Sequence, residues 1–432
     1  MSGSVAAGTE PICKRLLAVA RFPYNRHMRI VLGLASVLLV SALTACSSRP
    51  AARLDHEAYI WQRQWTPALA AAIGAMRGDF AGWRVLAAES TPAGELTDAA
   101  PQLDLLARSG KPVIAVLRLN GSQPSPATDL IAKRIAEIIV TWRAAGVPLR
   151  GIEIDHDCAT DRLDAYATLL ERLRASMPRD VRLSITALPT WIGASALPRV
   201  LAQVDGSVLQ VHAIAPPRSG QGAAGLFDGA QAQRWIDAYS AIAGTPFRVA
   251  LPAYGVRVGF DESGRAMAVE GEMERTTDAD SVRELRVDPI QVAALLRRLE
   301  RTPPPRLVGI LWFRLPSADD RRAWSAATLH AVIAGAPLAA EFVASATASK
   351  EGASDVSIAN RGTLDAPLSA SVSVVAKDCS AADALAGFRS ERTDEGWRFF
   401  SQSDAILRAG HERRIGWVRC ATIEKVFAHE PP

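Results

Sequence analysis

Eight short runs rich in β-branched and aliphatic residues, separated by segments of helical period, constrain this chain more than any other feature. The runs lie at 58–61, 83–89, 111–120, 149–155, 181–188, 206–214, 247–255 and 307–315. Segment 127–146 places Leu130, Ile131, Ile135, Ile138 and Ile139 on one broad side, and Gly146 stops it. Segment 160–178 opens with a Thr160 cap, carries Leu163, Tyr166, Leu169, Leu170 and Leu173, and ends before Pro178. Segments 230–244 and 289–300 behave alike. Strand–helix alternation repeated eight times predicts an α/β fold, a (β/α)8 TIM barrel, over 55–336. An open doubly wound sheet lacks support, because no glycine-rich phosphate loop follows any strand. After the seventh run, 256–260 and 265–272 flank a turn at Asp261–Gly264 and read as a hairpin on the barrel's C-terminal rim.

Beyond 337 the pattern changes. Runs at 341–349, 354–362, 368–377, 396–400 and 413–420 are short, alternate in polarity and are separated by turn residues. They predict a small β-sandwich-like domain over 337–432. The chain's 432 residues and 49% apolar content suffice for two such domains. Net charge is only +4, with 49 basic against 45 acidic side chains and no basic stripe, which argues against nucleic acid as a partner.

The N-terminus reads as an export leader. From Met28, "MRIVLGLASVLLVSALTAC" combines Arg29, an apolar core over 30–40 and small residues before Cys46. It resembles a bacterial lipobox, in which the Cys46 thiol takes a diacylglyceryl group. An ordinary secretory signal is the alternative. Residues 1–46 are then leader and signal peptide, 47–54 a polar tether, and Met28 a candidate for the true start. The expected location is the bacterial cell envelope, membrane-anchored through lipid and facing the periplasm; Ser47 after the cysteine favours the outer membrane. An exported chain meets oxidant, so a bridge between Cys379 and Cys420 is plausible. Cys and His are too sparse for a structural metal, and no cofactor is implied.

The fourth run carries the chemistry. In "GIEIDHDCAT", Ile152 and Ile154 face one side, and Glu153, Asp155 and Asp157 the other. In a closed barrel the acids point to the axis, with Asp155 and Asp157 at the catalytic end of the strand. Crowded carboxylates cannot all ionise, and one held protonated can donate to a leaving oxygen. The bland alternative pairs Glu153 and Asp155 with arginines such as Arg118 or Arg314 and makes Asp157 a cap for the helix near Thr160. The ends of the other runs supply candidate substrate contacts: Trp61, Arg118, Asn120, Trp191, His212, Tyr254, Trp312 and Arg314. Indole faces suit the apolar face of a pyranose, and acids and amides bind its hydroxyls. His212 reads as an orienting group. The three acids could hold Ca²⁺ or Mg²⁺, but strand geometry makes that the lesser case.

"AYIWQRQWTPAL", "GIEIDHDCAT" and "LPAYG" together resemble the bacterial family called domain of unknown function 3142, over about 55–330. A more distant likeness is to glycoside hydrolase family 18, the chitinase-like barrels. There "RGIEIDHD" aligns with alternating acids that end in the proton-donating Glu, with Glu153 and Asp155 at the supporting aspartates. "VALPAYG" and "GILWFRL" resemble that family's seventh and eighth strands. The departures are Asp157 for Glu, His212 for a tyrosine with Ala213 for the acid beside it, and Phe313 at the tryptophan position. The resemblance implies a surface-anchored barrel that hydrolyses or binds a polysaccharide or cell-wall glycan. Asp157 is its expected general acid, tuned by Asp155. The alternative is a non-catalytic glycan-binding or scaffolding lipoprotein on an inherited barrel. An esterase lacks a Gly-x-Ser-x-Gly elbow.

Overall fold

The computed structural model describes residues 54–91, 93–121, 127–214, 226–270, 279, 281–349, 352–368, 371–402 and 405–429. Cys46 and the leader lie outside them. Eight parallel strands form the barrel: β1 (Asp55–Ile60), β2 (Gly82–Ser90), β3 (Val113–Leu119), β4 (Leu149–His156), β5 (Arg182–Ala187), β6 (Gly206–Gln210), β7 (Phe247–Pro252) and β8 (Leu307–Phe313). Each pairs with the next, and β1 pairs with both β2 and β8, so the sheet closes. Closure removes both edges and leaves the ends of the cylinder as its only openings.

Helices cover the outside. The longest, Thr128–Ala144, buries Ile131, Ile135, Ile138, Ile139 and Trp142. Leu130, expected on that buried side, is 41% exposed, because it lies just beyond the edge of the stripe. Thr160 does not cap a helix. It opens a 3₁₀ turn, Thr160–Arg162, and helix Leu163–Ser176 follows. Helix Pro289–Arg301 starts cleanly, with the Asp288 carboxylate accepting from the Ile290 amide and Pro289 at the first position. None of the described helices is long and apolar enough to cross a membrane.

The expected hairpin after β7 is present as Gly255–Phe260 and Ala266–Glu270. A third strand, Ser281–Arg286, pairs with Gly255–Phe260 and makes a three-stranded sheet. Past helix Ala326–Ala334, six antiparallel strands form the C-terminal sheet. Its longest, Ser371–Ala384 and Glu412–His429, pair with Cys379 opposite Cys420, and a disulfide joins the two. A two-stranded ribbon, Ala366–Pro367 with Ile406–Leu407, adds a second layer, and Leu368 and Leu407 join Val356, Ile358 and Phe399 in one core.

The two domains are hydrogen-bonded together. Asp365 accepts from the Ser325 amide at 2.7 Å, the Thr328 hydroxyl at 3.0 Å and the Ala409 amide at 2.8 Å. Arg408 donates to the carbonyls of Ala323, at 2.6 Å, and Asp320.

Candidate active site in the barrel

Side chains alternate along each strand, so each strand has an axial set and an outer set. The axial apolar cluster is small: Tyr59, Val116, Val208, Ala250 and Leu311, with Trp61 and Phe313 packed on it. The outer set belongs to a separate and much larger core against the helices. Glu153 and Asp155 fall in the axial set as the alternation predicts, and Asp157 follows just past the strand.

Glu153 is fully buried. The Tyr59 hydroxyl donates to it at 2.6 Å, and Arg84 bonds to its other oxygen. Arg84 also donates to Glu57 at 2.8 Å, and Arg248 holds the far side of Glu57 at 2.9 Å. A chain of alternating charge, Arg248–Glu57–Arg84–Glu153, thus runs along the axis. Burial pushes Glu153 upward from the ordinary carboxyl value, against the pull of Arg84 and Tyr59. Burial also opposes the charge on Arg84, but Glu153 and Glu57 more than restore it. Tyr59, Glu57 and Arg84 escaped the strand-end reading because they lie below the rim.

Asp155 is 4% exposed and accepts from Arg118 at 2.6 Å. The other arm of Arg118 holds Asp157, whose side chain is 40% exposed. Burial disfavours the guanidinium, and the two aspartates together outweigh that and hold it charged. Arg118 therefore clamps both acids, one with each arm of its guanidinium. The pairing of Asp155 with Arg118 is the bland alternative realised. The partner of Glu153 is Arg84, and Arg314 pairs instead with Asp320 at 2.7 Å. Gly121, just past β3, lies against this site: a Cβ there would collide with the carbonyl of Asp157.

The remaining candidates divide. Trp61 and Phe313 meet edge to face with centroids 5.4 Å apart, and both are partly exposed. His212 lies 5.5 Å from Phe313, and its Nδ1 is 3.2 Å from the Tyr254 hydroxyl. Burial pushes His212 down to about 3, so it is neutral. Asn120 is exposed at the end of β3, its amide donating to Ser90. Three buried polar atoms at this end, Asp155 Oδ1, His212 Nε2 and Arg314 Nη2, have no hydrogen-bond partner among the described residues.

Trp312 and Trp191 do not belong to the mouth. Trp312 is fully buried in the outer set, donates to His56 at 2.9 Å and packs near Trp324. It sits one position off the axial parity that Phe313 holds. Trp191 is fully buried against Tyr166 and donates to the Cys158 carbonyl at 2.8 Å. Both are core. Among the described residues, no cluster of His, Cys, Asp and Glu is arranged to hold a metal.

Residues 109–318 match the family model described as Domain of unknown function (DUF3142), the family whose resemblance the β4 acids carry. Residues 343–421 match another, Domain of unknown function (DUF8456). No curated protein matches. Among solved structures the chain is similar to the Bacillus cereus spore cortex-lytic enzyme SleL, at 15% identity over 62% of this chain and 72% of that one, with a TM-score of 0.43. It is also similar to a chitinase from Chromobacterium violaceum ATCC 12472, at 13% identity over 62% and 96%, with a TM-score of 0.41. A third is chitinase ChiA74 from Bacillus thuringiensis, at 9% identity over 87% and 100%, with a TM-score of 0.43.

Proposed function

We propose that the C-terminal mouth of the barrel binds a glycan, a polysaccharide or a cell-wall fragment, without cleaving it in its resting arrangement. One observation carries this reading: a partly exposed aromatic pair, Trp61 and Phe313, beside buried polar atoms that lack partners among the described residues, Asp155 Oδ1 and His212 Nε2. A pyranose offers an apolar face to the first and hydroxyls to the second. The carboxylates of Asp155 and Asp157, shared by Arg118, serve as hydroxyl acceptors. Arg118 already engages the Asp157 carboxyl, so a glycosidic oxygen would meet an acid whose hydrogen-bonding capacity is taken up by the guanidinium.

Hydrolysis is the second reading, favoured by the 40% exposure of the Asp157 side chain. A bound sugar that displaced Arg118 would free the Asp157 carboxyl, beside Asp155, to act on the leaving oxygen as general acid.

The test is a panel of chitooligosaccharides and peptidoglycan fragments, scored for binding and for released reducing ends. Binding without turnover, weakened roughly tenfold or more by Trp61→Ala, is the expected result. Turnover that disappears in Asp157→Asn while binding persists would establish the hydrolase. No binding to any member would overturn both.

We further propose a lipid anchor on Cys46 in the bacterial cell envelope, on the periplasmic side of the outer membrane. The lipobox-like run ending at Cys46, with Ser47 after it, supports this. Metabolic labelling with palmitate should mark the chain, and Cys46→Ala should remove the label.

A further inference from the structure

The opposite end of the barrel holds a second cleft, of about 750 Å³. Its origin is legible in the strand starts. Counting back by twos from Arg84, Glu153, Val208 and Leu311 reaches Gly82, Gly151, Gly206 and Gly309 near the starts of β2, β4, β6 and β8; the register shifts just before Gly151 and Gly309, and Leu149 and Leu307 join the outer core instead. Every second strand thus contributes no side chain to the lowest layer, where barrels of this type ordinarily interleave side chains from alternate strands. A Cβ at Gly151 would lie 2.6 Å from the Arg182 carbonyl oxygen, and one at Gly309 would overlap the Arg248 guanidinium. The register sets Gly151 beside Arg182 and Gly309 beside Arg248.

The cleft left open is lined by cations. Arg84, Arg150, Arg182 and Arg248 face it, together with Glu57, Asp180 and Asp205 and the hydroxyls of Ser184 and Ser207. The acids are already engaged. Glu57 is shared by Arg84 and Arg248. Asp180 pairs with Arg143 at 2.7 Å, and Asp205 accepts from the Leu183 amide at 2.8 Å and from Arg174. Arg150 and Arg182 make no ion pair among the described residues. Arg248 is held below its ordinary value, by burial first and by the neighbouring Arg84 and Arg182, in spite of Glu57. The site is short of negative charge.

We propose that this cleft is a second binding site, for a phosphate group, held by Arg182, Arg248 and Arg150. Guanidinium forks match phosphate oxygens two at a time. The group has two sources, a soluble polyphosphate or a phospholipid headgroup. The proposal does not depend on what the other end of the barrel binds.

The test uses the full-length chain carrying Cys46→Ala, so that no lipid on that residue contributes. Titration calorimetry with pyrophosphate is paired with co-sedimentation on vesicles of phosphatidylglycerol or of phosphatidylcholine. Arg182→Gln and Arg150→Gln are the variants; both side chains are exposed and unpaired, and thermal melting checks that each folds. Saturable binding of pyrophosphate, of phosphatidylglycerol vesicles or of both is expected, weakened roughly tenfold by each substitution. Pyrophosphate alone identifies a soluble ligand; vesicles alone identify a headgroup. Equal sedimentation on both vesicle types counts as no headgroup binding; the proposal fails if neither probe then binds, or if a variant carrying both Arg182→Gln and Arg150→Gln binds as well as the parent.

Discussion

Replacing Arg84 with Met removes the cation that separates two buried carboxylates while keeping most of its volume. Glu57 retains Arg248, but Glu153 is left fully buried with the Tyr59 hydroxyl as its principal remaining partner. An uncompensated carboxylate in such a place protonates rather than stays charged, and the cost of doing so bounds the penalty. From an ordinary value of about 4.3, at about 1.36 kcal/mol per unit, that bound is ~3.7 kcal/mol at pH 7 and ~1 kcal/mol at pH 5. The existing upward push of burial on Glu153 trims both figures in the same direction. The sign is fixed: the native state of the variant keeps a proton that the unfolded chain releases, so its deficit grows as pH rises. Urea denaturation followed by tryptophan fluorescence at the two pH values measures it. The double variant Arg84→Met/Glu153→Gln should regain most of the loss, because a neutral amide needs no counter-charge. A deficit equal at both pH values, or a double variant as unstable as the single one, would show that packing rather than charge explains the axial chain.

Three further outcomes follow from the same geometry. His212, held near 3 by burial, should show no titration of its ring resonances between about pH 5 and 8. Its unfolded value lies near 6.5, so the stability it contributes is present above that value and lost as pH falls below it, and His212→Asn should flatten that acid slope. Asp365→Ala strips a charged acceptor from the Ser325 and Ala409 amides and the Thr328 hydroxyl, and should cost about 1.5–3 kcal/mol in thermal or chemical denaturation. Cys158 is buried and its thiol is pushed up to about 11, so in the native protein it should resist alkylation at pH 8 and react only on unfolding.

The barrel was legible because its signal is periodic. Runs such as 149–155 and 307–315 differ from β4 and β8 by a residue or two at their ends. Strand parity also placed Glu153 and Asp155 on the axis without any knowledge of partners. Partners were the illegible part. Arg84 sits 69 residues from Glu153 and Arg118 sits 39 from Asp157, and nothing local in the sequence joins them. Parity cuts the other way at β8. Trp312 looked like a sugar platform by residue type, yet an outward position put it among the helices and left Phe313 at the mouth. Tyr59, Arg84 and Glu57 could have been found by extending the two-residue count inward from Trp61 and along β2. The third strand beside the hairpin escaped because "SVRELR" is mostly exposed and has no apolar face to announce it.

The loop between β8 and helix Ala326–Ala334 answers to both domains. Asp320 in that loop orients Arg314, while Arg408 from the C-terminal sheet holds the Asp320 and Ala323 carbonyls. The same loop touches the rim beside Tyr254, through Gly255 bonded to Arg322 and Trp324 bonded to Ala253. Without the sheet, those two carbonyls would lose the Arg408 donor. A substitution at Arg408 in the sheet should therefore be felt at the barrel's rim, through this loop.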